Sequence, residues 1–184
     1  FSKNGGTFLV KRFDRIGKKR IHFASAMTLL GKTDGASSGE GVSYLDIASF
    51  IKANGAEPKT DLRELWKRIV FSMLVSNTDD HLRNHGFLLT PKGWRLSPMY
   101  DVNPDVYGEM LSLNVDESNS IIDVELAIET AKFYGLSIKE AKCIAEEMKS
   151  NVRDSWETVA AEYGISRDER EYMRPAFTET YKIK

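Results

Sequence analysis

The 184-residue sequence has only one cysteine, Cys143, so no disulfide can form within the chain. Such scarcity is typical of proteins from a reducing compartment, and we expect this protein to be cytoplasmic. The sequence also lacks any apolar run near the roughly 18 residues that a membrane-spanning helix requires. No association with a membrane is therefore expected.

An excess of charge of either sign is absent as well. Lysine and arginine number 26 against 27 acidic residues, which leaves a net charge of -1. Without a strong positive field to attract phosphates, direct binding of nucleic acid is not expected. The apolar fraction of 41% and the charged fraction of 29% are typical of a globular protein. We expect a single domain over residues 1–184, long enough to bury a sizeable core.

The pattern of apolar and turn-forming residues predicts an α+β protein that is mostly helical. The first part of the chain should contain a strand over 7–13 and a helix over 22–30. A glycine-rich segment over 31–41 is expected to be a mobile loop. Ser43 should begin the next helix, which Gly55 ends.

The strongest helical pattern covers residues 60–76, with Thr60 as the expected N-cap and a buried C-terminal half. Two short strands over 86–89 and 94–96 flank a Thr-Pro-Lys-Gly turn, which predicts a β-hairpin. Beyond residue 123 the pattern is helical throughout. It predicts four helices over 124–134, 137–153, 154–163 and 166–180, with Gly135 and Gly164 as stop signals and Ser137 and Ser166 as N-caps.

Twelve residues between the long helix and the hairpin, SNTDDHLRNHGF at 76–87, hold two acids, two histidines and two asparagines. Asp79 and Asn84 are five positions apart there, and Asp101 follows the hairpin in the polar segment SPMYDVNP. Because a hairpin returns the chain to its start, Asp101 is expected near Asn84. Protein kinases use an Asp, an Asn five residues later and an Asp after a hairpin to accept the substrate proton and hold Mg²⁺. On spacing alone, turn formation and capping explain these residues about equally well.

The segments VSNTDDHLRNHGFLL and WRLSPMYDV together resemble the catalytic core of the HipA-type serine/threonine kinases, the toxin kinases of bacterial toxin–antitoxin pairs. That family has a T/G-D-x-H-x-K/R-N stretch followed by an L-x-P-x-Y-D stretch. LVKRFDR and EGVSYLDIASFI are also similar to the family, so the resemblance covers about residues 7–150. It implies the C-terminal lobe of a protein-kinase-like fold, whose short β-hairpin carries the metal-site loops, and an activity that depends on ATP and Mg²⁺.

The resemblance implies a role for each motif position. Asp79 would be the catalytic base, and His81 would support its loop. Asn84 and Asp101 would be the magnesium ligands. Asp80, which lies between the motif Asp and His, receives no catalytic role.

In the same family, backbone groups in a hinge between two lobes meet the adenine of ATP, and here these would belong to Val10, Lys11 and Arg12. A kinase also needs a phosphate-binding loop and a lysine on a strand of its N-terminal lobe. Neither is present in the sequence, and Lys11 lies in the hinge-like strand and so is not that lysine. We therefore expect an N-terminal lobe on a missing part of the chain or on a separate polypeptide.

Further partners implied by the resemblance are a helix-turn-helix antitoxin and a protein substrate. Two other functions stay open. The chain could be a catalytically silent, kinase-like binding module, or a phosphotransferase for small molecules such as sugars or antibiotics. The latter enzymes usually place a histidine before the aspartate, whereas His81 follows Asp79.

His81 and His85 are four residues apart, which on a helix would place both on one face. A zinc site with Asp79 or Asp80 as third ligand is conceivable. Gly86 and the strand that follows argue against a continuous helix there. We expect His85 to be a partly exposed strand residue.

Overall fold

The computed structural model describes residues 9–182. Its strands are β1 (Arg15–Ile16), β2 (Lys19–Arg20), β3 (Phe23–Ser25), β4 (Gly86–Thr90) and β5 (Gly93–Leu96). Its α-helices are α1 (Ala26–Leu29), α2 (Tyr44–Asn54), α3 (Pro58–Leu74), α4 (Val124–Thr130), α5 (Ile138–Glu162) and α6 (Arg167–Met173). Short 3₁₀ segments lie at Ser38–Glu40, Ala131–Tyr134 and Arg174–Tyr181. About half of the chain is helical and the sheets are small, which confirms the α+β class.

A three-stranded antiparallel sheet has β4 at its centre, between β3 and β5. The register pairs Ser25 with Gly86 and Phe87 with Leu96. The β-hairpin predicted from its turn residues is therefore confirmed. The helix predicted over 22–30 is wrong in its first half, because β3 pairs with β4 and only α1 is helical.

Helix α3 forms the centre of the hydrophobic core. Its buried face repeats every three or four residues, as expected for one side of a helix, and includes Leu65, Trp66, Ile69 and Met73. The helix begins earlier than predicted, with Glu57 at the N-cap and Pro58 at the first helical position. Thr60 is therefore not the N-cap, since proline with its fixed φ favours a helix start before it.

Helix α2 is confirmed between the predicted signals. Asp46 accepts a hydrogen bond from the backbone N–H of Ser43 over 2.9 Å, which satisfies a donor at the helix start. Gly55 follows the last helical residue, and its N–H donates to the Ile51 carbonyl over 2.9 Å. The local sequence signals therefore define both ends of this helix.

Helix α5 is a single helix of 25 residues, whereas the sequence predicted two helices over 137–153 and 154–163. The N-cap was predicted correctly, because Ser137 Oγ accepts from the backbone N–H of Glu140 over 3.2 Å. No glycine or proline interrupts the segment. Nothing in the chain therefore ends the helix at the predicted junction.

Two of the predicted helices change to 3₁₀ geometry before they end. The helix over 124–134 consists of α4 followed by a 3₁₀ segment. The helix over 166–180 consists of α6, which ends at Met173, followed by a longer 3₁₀ segment. Pro175 contributes to the second change, because it has no backbone N–H with which to continue an α-helix.

The strand predicted over 7–13 is not found in its described part. Residues 7–8 lie outside the described residues, and residues 9–12 have no regular secondary structure. Arg12 folds onto its near neighbour Asp14, to which its Nε and Nη2 donate over 2.8 and 2.7 Å. The chain then turns into the small β1–β2 hairpin.

Along the chain from 9 to 182, no helix is both long enough and apolar enough to cross a membrane. The apolar surface is instead gathered in two clusters. The larger surrounds α3, and the smaller lies beneath the C-terminal 3₁₀ segment. The smaller cluster contains Val75, Trp156, Ala176 and Phe177.

Replacing Trp66 by alanine is expected to destabilise the fold by about 3–5 kcal/mol, the usual cost of deleting a large buried aromatic side chain. Trp66 has no exposed surface, and its Nε1 donates to the Ala127 carbonyl over 2.8 Å. The change would thus open a cavity and leave a buried carbonyl without its donor. Chemical denaturation measures the loss, and Lys52→Ala on the exposed side of α2 is the control, with a change within about 0.5 kcal/mol.

Candidate functional site

The first polar loop, residues 76–85, begins with a change of backbone handedness. Ser76 has a φ of 49°, a left-handed value that is uncommon outside glycine. The next residue, Asn77, is buried and returns to the end of α3. Its backbone N–H donates to the Ser72 carbonyl over 2.8 Å, and its Nδ2 donates to Ser72 Oγ over 3.3 Å. The loop is therefore fixed where it leaves the helix.

The second polar loop, residues 97–105, packs directly on the first. Asn77 Oδ1 accepts from the backbone N–H of Asn103 over 3.2 Å. The backbone N–H of Asp105 donates to the Ser76 carbonyl over 3.0 Å, and Asp105 Oδ2 accepts from Thr78 Oγ1 over 2.8 Å. Three hydrogen bonds thus join the two loops, each between residues that are more than 25 positions apart in sequence.

Asn84 lies where the two polar loops meet. Its Nδ2 donates to the Asp79 carbonyl over 3.0 Å and makes a longer contact of 3.5 Å to the Asp101 carbonyl. Because carbonyls can only accept, these two neighbours fix which end of the amide is nitrogen. Oδ1 accepts no hydrogen bond from residues 9–182. The proximity of Asp101 and Asn84 expected from the hairpin is therefore found.

Asp79 presents its carboxylate to solvent, with 80% of the side chain exposed. Its Oδ1 lies 3.9 Å from His81 Nε2, and His81 Nε2 also lies 3.0 Å from an Arg83 nitrogen. All three side chains line a cavity of about 210 Å³. The opposite wall is residues 33–37 of the glycine-rich loop, which is held by an ion pair between Asp34 and Arg83.

Asp101 has a φ of 57°, and within residues 9–182 it shares this left-handed backbone with only one other non-glycine residue, Ser76. Uncommon backbone angles of this kind cluster at functional sites, because the surroundings must hold them. The Asp101 side chain is exposed, and its Oδ1 accepts from Asn103 Nδ2 over 3.0 Å. Next to it, the Tyr100 hydroxyl donates to the Arg83 carbonyl over 2.6 Å, which adds another bond between the loops.

The segment expected to meet adenine, Val10, Lys11 and Arg12, is exposed. It leads into Phe13, whose ring lies 5.9 Å from the ring of Tyr100, centroid to centroid. Burial raises the pKa of Tyr100 to about 12. The segment therefore approaches the site from the side of the second polar loop.

Asp80 was given no role by the sequence motifs, yet it is the most connected side chain in the first polar loop. It is only 4% exposed and accepts from the Tyr44 hydroxyl over 2.8 Å and from Ser72 Oγ over 3.2 Å. His85 Nε2 lies 3.1 Å from Asp80 Oδ1. His85 is 2% exposed, so the expectation of a partly exposed strand residue was wrong. Its imidazole lies against the buried Asp80 carboxylate and not at the surface.

Asn84 Oδ1 and the Asp101 carboxylate are oxygen atoms of the kinds that suit Mg²⁺, which prefers one or two carboxylates and completes its shell with water and phosphates. The structure brings the Asp101 backbone carbonyl to 3.5 Å from Asn84 Nδ2. Within residues 9–182, no three His, Cys, Asp or Glu side chains form a group that could hold a metal ion by themselves. The two histidines of the alternative zinc site have different partners, Asp80 for His85 and Arg83 for His81.

Known proteins resemble this chain in both sequence and structure. The family model described as the HipA-like C-terminal domain matches residues 1–156. Y4mE of Sinorhizobium fredii, which carries a provisional kinase name, is 28% identical over 173 residues. A provisionally named kinase of Haemophilus influenzae is 33% identical over 113 residues. The serine/threonine-protein kinase toxin HipA of Shewanella oneidensis is 32% identical over 95 residues.

These alignments cover 89%, 57% and 48% of this chain but only 36%, 33% and 22% of the respective relatives. The chain thus spans about a third or less of the curated relatives it matches. A chain of the Shewanella oneidensis complex of HipA, HipB and operator DNA has a similar structure, with a TM-score of 0.75 and 20% identity. That likeness covers 92% of this chain and 46% of the other, and it shows the fold.

Proposed function

The chain belongs to the family of HipA-like C-terminal domains, and from this premise we propose that it is the catalytic C-terminal lobe of an ATP- and Mg²⁺-dependent serine/threonine protein kinase. The observation that carries the proposal is the position of Asn84. Its Nδ2 lies 3.0 Å from the Asp79 carbonyl and 3.5 Å from the Asp101 carbonyl. One side chain thereby holds together the backbones of the proposed base and the second proposed metal ligand.

In this proposal Asp79 is the general base. Its exposed carboxylate lines the cavity of about 210 Å³. Asp79 accepts the hydroxyl proton as the oxygen bonds to the terminal phosphorus of ATP and the bond to ADP breaks. His81 and Arg83, which line the same cavity, support the loop that carries this carboxylate.

Asn84 Oδ1 and the Asp101 carboxylate would hold Mg²⁺, which when bound neutralises charge on the transferred phosphate. The chain's own contribution is to fix the direction of both donors. Asn84 is fixed because Nδ2 is occupied by two carbonyls. Asp101 is fixed because Asn103 donates to one of its oxygens over 3.0 Å.

Backbone groups of Val10, Lys11 and Arg12 are proposed to meet the adenine ring, since the chain leads from them to the Phe13–Tyr100 contact beside Asp101. Contacts to the phosphates would come from an N-terminal lobe, either in a longer chain or on a separate polypeptide. The relatives are between about three and five times longer than the aligned part, which leaves room for such a lobe in them. A helix-turn-helix antitoxin is the proposed regulatory partner, by analogy with the HipA and HipB complex.

The proposal is tested with the complete gene product. Calorimetry with ATP should detect binding that requires Mg²⁺ and is lost with a chelator. With γ-labelled ATP, the label should then appear on serine or threonine of a protein. Label on a sugar or aminoglycoside but on no protein would instead identify a small-molecule phosphotransferase, and absence of ATP binding would identify a silent binding module.

A further inference from the structure

A buried aspartate and a buried histidine meet beneath the first polar loop. Asp80 and His85 are 4% and 2% exposed, and Asp80 Oδ1 lies 3.1 Å from His85 Nε2. Each directly follows a residue of the proposed site, because Asp80 comes after Asp79 and His85 comes after Asn84. The contact therefore joins two points of the loop, one next to the proposed base and the other next to the proposed metal ligand.

We propose that Asp80 and His85 are positioning residues whose contact, the Asp80–His85 clamp, sets the separation of Asp79 and Asn84. This inference rests on the proposed function for its effect on catalysis, although the clamp itself is a structural claim. With Asp80 turned into the core, the preceding Asp79 is turned outward and stays exposed. With both ends held, Asn84 Nδ2 reaches the Asp79 carbonyl at 3.0 Å.

The clamp is also tied to the helices behind the loop. Asp80 Oδ2 accepts from the Tyr44 hydroxyl at the start of α2 and from Ser72 Oγ near the end of α3. Burial raises the pKa of Asp80, but the nearby His85 imidazole and these two hydrogen bonds outweigh it, so the pKa lies below its usual value. Asp80 is therefore a carboxylate at neutral pH.

Stability alone is a weak explanation for such a pair. Removing two polar groups from water is costly, and apolar side chains of similar size often stabilise a core as well or better. The Asp80 carboxylate and the His85 imidazole instead bring a charged and a polar group to within 3.1 Å of each other. A fixed spacing of the two loop ends matters most here, since displacing reacting groups by about 1 Å can cost roughly 100-fold in rate.

The first test compares, in the complete protein, a substitution of the buried carboxylate with a substitution of one of its hydrogen-bond donors. Asp80→Asn removes the charge that faces His85 while keeping the size of the side chain. It is expected to lower kcat about 100-fold with little change in KM for the protein substrate. Tyr44→Phe is the matched control, because it removes a hydrogen bond to the other oxygen and leaves the clamp. It should lower the melting temperature comparably but keep kcat within about twofold.

The clamp can also be broken from its other end. His85→Asn should lower kcat to a similar extent, and the Asp80→Asn/His85→Asn double variant should be no slower than either single variant, since all three lose one contact. If the kcat of the double variant instead falls by the product of the two single losses, the two residues act independently and the proposed clamp is wrong. So would an equal loss of kcat in Tyr44→Phe, because the effect would then follow stability and not the contact.

A second measurement does not require activity. The Asn84 side-chain NH₂ should give a slowly exchanging NMR signal in the unsubstituted protein, which Asn84→Asp would identify by removing it. Asp80→Asn and His85→Asn should each abolish its protection, whereas Tyr44→Phe should preserve it. Protection that persists in both clamp variants would overturn the inference. If protection is lost as expected but the unsubstituted protein transfers no phosphate, the clamp stands and the proposed function fails.

Discussion

Replacing Asp79 by asparagine is expected to reduce phosphoryl transfer by about a thousandfold in the complete protein, because the proposed proton acceptor loses its basicity. General bases contribute roughly 10²–10⁴-fold to enzymatic rates. Asparagine has almost the same shape, and 80% of the Asp79 side chain is exposed. Single-turnover transfer of labelled phosphate measures the loss, and the free energy of unfolding should change by no more than about 0.5 kcal/mol.

The control for this substitution is Asp154→Asn, which makes the same chemical change at an exposed position on α5. It should leave the transfer rate unchanged. Rapid autophosphorylation by the Asp79→Asn variant would refute the assignment of Asp79 as the base. A large fall in its unfolding free energy would instead mean that the carboxylate has a structural role which its exposure does not reveal.

The elements that could be predicted from the sequence are those whose signals are local. Helix α2 has Ser43 at its start and Gly55 at its end, and both signals are used as expected. The hairpin of β4 and β5 follows from its turn residues. In each case the residues that determine the structure lie within the element or directly beside it, so a single pass along the chain finds them.

Elements that depend on distant partners were missed. Residues 23–25 were expected to be helical, but they pair with β4, some sixty residues later in the chain. Their own pattern is too short to distinguish a strand from the start of α1. The change of geometry at Pro175 is the opposite case, because its signal is local: a proline has no backbone N–H with which to continue an α-helix.

The candidate site could likewise be predicted only in part. The spacing of Asp79, Asn84 and Asp101 predicted their proximity, because a hairpin must return the chain to its origin. The bonds that join the two polar loops could not be predicted, since asparagine and aspartate occur in most turns. For Asp80 the sequence offers one indication of a role, its position in a row of polar residues between apolar runs. The motif assigns the catalytic role to the neighbouring Asp79, so the buried contacts of Asp80 could not be predicted.

Replacing Asp101 by alanine is expected to abolish the Mg²⁺-dependent part of ATP binding, raising Kd by about 100-fold. A bound metal ion stabilises phosphate charge by several kcal/mol, and losing about 3 kcal/mol of it corresponds to that factor. Alanine also lacks the polar side chain that helps aspartate and asparagine to adopt a φ near 57°. The measurement is an ATP titration by calorimetry, with Mg²⁺ and with a chelator, on the complete protein.

Asp101→Asn separates the two effects in that substitution. Asparagine tolerates the left-handed backbone, so the second polar loop should keep its contact with Asn84, but the negative charge for the metal is lost. If charge is what matters, both variants bind ATP equally weakly and neither responds to Mg²⁺. If backbone geometry is what matters, only the alanine variant weakens. An unchanged titration with Mg²⁺ for both would remove Asp101 from the metal site, and the proposed phosphate chemistry would lose its only carboxylate ligand.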